Sequence, residues 1–476
     1  MILDTYEPKE VFTHFEAISQ IPRGSGNEKA VSDYVADFAR GLGFEVIQDE
    51  WHNLIIKKPA SSGYENHEPV MLQAHLDMVC EKNADTTHDF LKDPIKLYVD
   101  GDFIKARGTT LGADNGLGMA LCMALLQNGT DHPPLEIVFT SEEETGMDGA
   151  ENLDVSTLKS RRMINLDSSD DDRFTMGCAA GINLEFKMSI NHETPVADMK
   201  AYKVSVKGLT GGHSGADIAK ERGNSIKILG QVLGALGDNI RLAEVSGGMK
   251  VNAIPREAEA TIWVADENKL NATLENCRKN LAVQFRVSDP ELSIECKAEV
   301  TVDKMLTLKC SNQVIAAMLL VPCGVFVRSL EIDGLVNASC NMGVIETSKD
   351  YVKISAMGRG AAEFYNLQLR DNASALAKYL GADISFSQRS AAWPYDPNSK
   401  LLKTALDAYT PVFNREPIVT AIHAGLECGL FSEKIPGLDI ISVGPTNHDL
   451  HTPDERVSIT SVALFWKFLK ALLKAL

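Results

Sequence analysis

The feature that most constrains this chain is a set of short apolar runs that each end in an acid or a histidine. Residues 70–74 run into His75-Leu76-Asp77, residues 135–140 into Ser141-Glu142-Glu143-Glu144, and residues 163–166 into Asp167. A fourth run at 439–443 is followed within a few residues by His448 and His451. Apolar runs of this length, bounded by polar clusters, read as strands buried on both faces of a mostly parallel sheet. Two further runs, 44–47 and 54–56, fit the same pattern. Between the runs lie stretches with apolar residues at helical spacing: 9–19 (Val11, Phe12, Phe15, Ile18), 27–41 (Val31, Val35, Phe38) and 115–127. The last 18 residues place Val462, Phe465, Phe468, Leu469, Leu472 and Leu476 on one helical face. Alternating strands and helices define an α/β fold.

The middle of the chain reads differently. From 185 to 394, partly alternating strands (202–206, 258–264, 292–296, 352–357) mix with a few helices, which predicts an α+β module with antiparallel pairing. Residues 394–397, with a proline at each end, look like the return linker. The expected organisation is therefore one α/β domain, 1–184 and 395–476, interrupted by an inserted α+β domain, 185–394. A chain of 476 residues has room for both, at roughly 100–200 residues per domain.

Charge narrows the function. The net charge is −18, from 47 basic and 65 acidic side chains. Such a surface repels phosphate backbones and anionic membranes, so neither nucleic acid nor a membrane is an expected partner. There is no basic start followed by an apolar stretch, and no run of about 18 apolar residues. The nine cysteines are scattered and form no CxxC pair. A reduced, cytoplasmic protein is expected. Cys80 and Cys122 sit in apolar surroundings and read as core packing.

In an open α/β sheet, ligands bind beyond the carboxyl ends of the strands. Four strands would then deliver histidines and carboxylates to one crevice, joined by Asp114 in Gly112-Ala113-Asp114-Asn115-Gly116 ahead of a helix. Two imidazoles with three carboxylates suit zinc, cobalt or manganese. Five ligands exceed what one catalytic zinc takes from protein. Two metals about 3.5–4 Å apart and sharing a carboxylate account for the number. Asp114 is the natural bridge, because a glycine-rich turn lets its backbone approach closely. Taken singly, each residue has a blander reading: a packed or surface histidine for His75 and His451, a solvated turn for 142–144, a helix cap for Asp167. Their shared place at strand ends is what points to chemistry, and it leaves the reaction open.

The motifs HLD (75–77), RGTTLGADNG (107–116), EEETG (142–146), INLD (164–167), GGHSG (211–215) and HDLHTPDE (448–455) occur in that order. Together they resemble the aminoacylase/carboxypeptidase-type dinuclear zinc metallopeptidase family. The stretch 82–116 is similar to its bacterial aminoacyl-histidine dipeptidase subgroup. The resemblance covers essentially the whole chain and implies a metal-dependent dipeptidase acting on Xaa-His and other unblocked dipeptides. It implies two divalent cations, most simply zinc, with cobalt or manganese as alternatives. His75 and Asp167 match ligands of one metal, Glu144 and His451 those of the other, and Asp114 the bridge. Glu143 matches the general base, and Asp77 the residue that holds His75. The peptide bond after the bridging aspartate is expected to be cis.

The resemblance also implies roles for the inserted domain, which serves the family as lid and dimerisation domain, so a homodimer through it is expected. His213 matches an oxyanion donor, and Arg359 matches an arginine that grips the substrate carboxylate. Asn341, His423 and Glu427 are further candidates for the substrate pocket. Two relatives of the same scaffold compete: an N-acyl-amino-acid deacylase and an aminotripeptidase. A catalytically silent peptide- or metal-binding relative is a third reading, opposed by the presence of Glu143 and every metal-ligand match. No GxGxxG follows the first strand and no phosphate-loop motif occurs, which opposes a nucleotide-binding enzyme.

Overall fold

The computed structural model describes residues 2–127, 130–298, 302–388 and 390–476. The chain divides into two compact units. The first comprises Met1–Cys178, Trp393–Ala421 and Leu426–Leu476, and the second Ala179–Ala392 and Ile422–Gly425.

In chain order the first unit runs α1 (Lys9–Ile18), α2 (Lys29–Gly41), β1 (Glu45–Gln48), β2 (Leu54–Lys58), β3 (Val70–His75), β4 (Leu97–Asp100), β5 (Phe103–Ala106), α3 (Ala113–Gln127), β6 (Leu135–Thr140), α4 (Asp148–Asn152), β7 (Arg162–Asn165) and β8 (Arg173–Cys178). It resumes with helices Lys400–Phe413 and Glu427–Lys434, strand Asp439–Ser442 and the closing helix Ile459–Ala475. Among the described residues its main sheet has eight strands, in the order β1, β2, β6, β3, β7, Asp439–Ser442, β8, Ile418–Ile422.

The centre of this sheet is parallel: β6 with β3, β3 with β7, and β7 with Asp439–Ser442. Its flanks are antiparallel, β1 with β2, β2 with β6, and Asp439–Ser442 with β8. Connection length explains the difference. A short turn joins β1 to β2, whereas β3 reaches β6 through the α3 crossover. Every residue of β3 and β6 is buried, as expected for strands covered on both faces, while edge strand β1 alternates between exposed and half-buried. Helix α3 is buried almost all round, and packs on α1 and β3. The closing helix is capped by Ser458, whose Oγ accepts from Ser461 N–H, and buries Val462, Phe465, Phe468, Leu469, Leu472 and Leu473. Each such side chain contributes roughly 1.5–3 kcal/mol by leaving water. Cys122 is in this core, but Cys80 is exposed. It lies in the loop beyond the end of β3, outside the apolar layer.

A smaller sheet of Asn447–His448, Arg456–Ser458, β5 and β4, in that order, stands apart from the main one. It matters because its hairpin, not the end of Asp439–Ser442, carries His451.

The second unit is built on a nine-stranded sheet whose described pairings are all antiparallel. Its spine is Val336–Thr347 paired with Tyr351–Gly360, which pairs in turn with β9 (Ala180–Ser189). Helices Ser225–Leu236 and Leu308–Leu320 pack on each other and share its core with Glu267–Gln284 and Glu363–Leu380. The division falls a few residues before 184, because the whole of β9 pairs within this unit. Residues 422–425, expected in the first domain, also belong here. No helix among the described residues is long and apolar enough to cross a membrane.

Candidate metal centre

The carboxyl ends of the parallel strands converge in the first unit. His75 is the last residue of β3 and is 1% exposed. Its Nε2 lies 3.0 Å from Asp114 Oδ1 and 3.3 Å from Asp167 Oδ1. His451 Nε2 lies 3.2 Å from the other oxygen of Asp114, Oδ2, and 3.1 Å from Glu144 Oε1. Asp114 thus faces two imidazoles with two different oxygens, and each imidazole has a second carboxylate of its own. His75, Asp114 and Glu144 each bring a donor atom within 4.8 Å of the others. Glu144 Oε1 is buried and makes no well-aligned hydrogen bond in the described structure. Nitrogen and oxygen donors gathered this closely, with such an acceptor left over, fit divalent zinc, cobalt or manganese.

Local structure explains how each group arrives. Asp114 and Asn115 interrupt the helical backbone at the start of α3, and the peptide bond between them is cis, in accord with the resemblance. Asn115 Nδ2 donates to Asp167 Oδ1 at 2.9 Å, and its Oδ1 accepts from Gly118 N–H. His451 and Glu142 both have positive φ, 61° and 54°, a costly conformation for these residue types that clusters at functional sites. Glu142 meets neither imidazole: its carboxyl lies beside Asp148, and its backbone N–H donates to Glu28 Oε1. His448 also stays outside the cluster, its ring 6.0 Å from that of Phe103.

Asp77, fully buried, ties the pieces together. Its Oδ1 lies 3.3 Å from His75 Nδ1 and accepts from Glu143 N–H, while Oδ2 accepts from Glu144 N–H and Ser25 Oγ. One carboxylate therefore orients the imidazole and the backbone of the two following acids, an arrangement that sets the tautomer of a metal-ligating histidine.

Electrostatics follow from crowding. Burial alone would lower the pKa of His75, but Asp167, Asp114 and Asp77 outweigh it and hold it well above the usual range. The neighbouring carboxylates of Asp114 and Glu144 push His451 up to about 10. Asp114 is held below the usual carboxylate range because the two histidines outweigh its desolvation. Burial raises Asp167 to about 6. Glu143 is raised well above its ordinary value, by burial first and then, against the pull of His75, by the neighbouring charges of Asp167, Glu427 and Glu144. A carboxylate raised in this way is suited to take and return a proton near neutrality.

Glu427 lies beneath this cluster rather than in it. Its Oε2 accepts from Gln73 Nε2 at 2.6 Å and from Thr140 Oγ at 2.8 Å, and Asn165 Nδ2 donates to Gln73 Oε1. Burial raises Glu427 to about 8. The buried Gln73 escapes sequence reading because it sits inside an apolar run and belongs to no motif, and Asn165 is visible only as one letter of the INLD string.

The remaining candidates are in the second unit. His213 Nδ1 accepts from the N–H groups of Ala216 (3.1 Å) and Gly215 (3.3 Å), which leaves the proton of a neutral ring on Nε2. Burial and the charge of Arg359 lower its pKa, so it is neutral. Arg359 Nη2 lies 3.5 Å from both His213 Nε2 and Ser214 Oγ. His423 Nε2 is 2.7 Å from Ser339 Oγ, and burial with the Arg359 charge lowers it to about 3. Asn341 is committed within the unit: Nδ2 donates to the carbonyls of Val251 and Ala253, and Oδ1 accepts from Asn224.

An α/β unit that gathers His, Asp and Glu at the ends of parallel strands, beside a raised glutamate, has the make-up of a two-metal hydrolase. The pattern of peptidase family M20/M25/M40 matches residues 71–475, and the chain belongs to that family. It is 38% identical to the cytosol non-specific dipeptidase of Escherichia coli, over 99% of this chain and 98% of that one. Its structure is similar to the aminoacylhistidine dipeptidase of Vibrio alginolyticus, with a TM-score of 0.94 and 38% identity over 100% of this chain and 98% of that one. The aminopeptidase PepT of Bacillus cereus shares the fold at 14% identity, with a TM-score of 0.57 over 99% of each chain.

Proposed function

We propose that this chain is a two-metal dipeptidase that hydrolyses unblocked dipeptides, Xaa-His among them. The observation that carries the reading is Asp114, whose two oxygens face His75 and His451, each backed by a second acid. The substrate class is supported by relatives at 38% identity, named as a non-specific dipeptidase and an aminoacylhistidine dipeptidase. In this reading His75 and Asp167 would hold one cation, Glu144 and His451 the other, and Asp114 would serve both. Zinc is the expected ion, and cobalt and manganese suit the same donors. Such a pair would supply Lewis acidity toward the scissile carbonyl and would make a bound water easier to deprotonate.

The chain's own residues do the rest. Glu143 removes the water's proton on its carboxylate and passes it to the leaving amine. Asp77 keeps the His75 ring and the Glu143–Glu144 backbone in register. From the second unit, His213 offers its Nε2 proton to the developing oxyanion, and Arg359 pairs with the free carboxylate of the dipeptide. His423 is neutral beside Arg359, and Asn341 shapes the 251–253 backbone.

The test is a small substrate panel on metal-stripped protein reloaded with zinc, with Glu143→Gln alongside. Dipeptides including Xaa-His should be cleaved. The variant should lose roughly 10²–10⁴-fold in kcat while still binding two metals. Turnover of N-acetyl amino acids alone would move the function to deacylation. No turnover with two metals bound would make the protein a silent relative.

A further inference from the structure

The segment that presents Asp114 is gripped by two buried ions of opposite sign. Glu455, 2% exposed, receives four successive backbone N–H groups. Its Oε2 accepts from Leu111 (2.7 Å) and Gly112 (2.9 Å), and its Oε1 from Ala113 (2.9 Å) and Asp114 (3.2 Å). Asn447 Nδ2 adds a fifth donor at 3.2 Å. Arg23, 3% exposed, takes carbonyls instead: Nη1 donates to Leu76 (2.8 Å) and Asp77 (2.5 Å), and Nη2 to Gly112. One guanidinium therefore spans the loop after His75 and the loop before Asp114. Gly112 has φ +69°, and a Cβ there would come within 2.8 Å of Arg23 Nη2 and 2.7 Å of Met78 Sδ. The grip closes over a position that only glycine can fill.

Burying two ions is costly, and apolar packing would hold an ordinary loop at less cost. What this pair achieves is different. It fixes the backbone on both sides of the centre through N–H and C=O groups alone, and leaves both oxygens of Asp114 free to face the two imidazoles. Neither residue is among the groups that meet the imidazoles.

We propose that Arg23 and Glu455 are positioning residues that aim the two oxygens of Asp114, so that both metals are lost together when either is weakened. The proposal rests on the two-metal reading above.

The test is a cobalt titration of the metal-stripped full chain, read by visible absorption, with the thermal midpoint of the metal-free protein measured in parallel. Glu455→Gln replaces one acceptor oxygen with a donor and strands part of the 111–114 backbone. A joint loss in affinity for both cobalt ions is expected, roughly 10–100-fold as for other groups that orient ligands. Arg23→Lys should act in the same direction, because one ammonium does not reproduce the planar fork. Asp167→Asn, by contrast, should weaken mainly one ion. A lowered midpoint with unchanged cobalt affinity would mark both residues as ordinary structural groups and overturn the proposal, as would loss of one ion alone. If Glu455→Gln does not fold, Asn447→Ala loosens only Oε1, and the proposal then requires a joint loss there; unchanged affinity overturns it. Cobalt binding is read without substrate. Two ions bound but no dipeptide cleaved would therefore sink the dipeptidase reading and leave this one standing.

Discussion

In the metal-free protein, protons on His75 and His451 offset the crowding of carboxylates around them. Both imidazoles are held above their ordinary range, His451 at about 10, by the acids they would share with a cation. Ligation needs the neutral ring, so metal and protons compete for the same nitrogens. Loading at pH 7 should release about two protons per chain, and apparent affinity should rise with pH up to the range where His451 titrates. Calorimetric titration with zinc in buffers of different ionisation enthalpy measures this directly. Identical heats in every buffer would mean the histidines are already neutral and the assigned pairing is wrong. At this scale Glu143 and Glu144 were legible because the spacing to Gly146 sets their register, and Asp77 because it closes the HLD motif after His75. Glu455 was legible only as part of a motif string, since nothing in a sequence shows that four backbone N–H groups turn toward one carboxylate.

The strands carry the site because their ends are cross-linked from below. Gln73 on β3 and Thr140 at the end of β6 both donate to Glu427, which opens the helix Glu427–Lys434. That carboxyl is held at about 8 by burial, above its ordinary 4.5. The folded state therefore keeps a proton that the unfolded chain loses. Its contribution to stability is fully present below about pH 4.5 and is lost as pH rises through about 8, at up to about 1.4 kcal/mol per pH unit. Glu427→Gln imitates the protonated acid and cannot titrate. In metal-stripped protein its thermal midpoint should fall less than the parent's between pH 5 and 8. Parallel midpoints would show that Glu427 is already ionised. The four parallel strands were readable from short, mostly apolar runs. The hairpin that carries His451 was not, because Asn447–His448 and Arg456–Ser458 are too short to show a period, and the second of them finds its other partner in the distant β5.

Each unit has a large hydrophobic core of its own among the described residues, and all five proposed ligands are in the first unit. Metal binding should therefore stabilise one core and not the other. Calorimetry with and without a chelator should show two transitions, of which only one moves. At a free metal concentration of 100 times Kd the shift corresponds to about 2.7 kcal/mol. A single transition that moves as a whole would mean that the two cores unfold as one cooperative unit.

Alternation of helical and extended periods set the α/β class, and the acids and histidines closing four apolar runs pointed to one crevice. Both are local properties, since burial on two faces makes a strand uniformly apolar wherever it lies. The order of those strands, the hairpin that brings His451 to Asp114, and the opposed grip of Arg23 and Glu455 on residues 111–114 depend on contacts between residues 89 to 344 positions apart. Such contacts leave no periodic trace in a sequence. Only the folded chain decides which backbone groups a buried carboxylate will face.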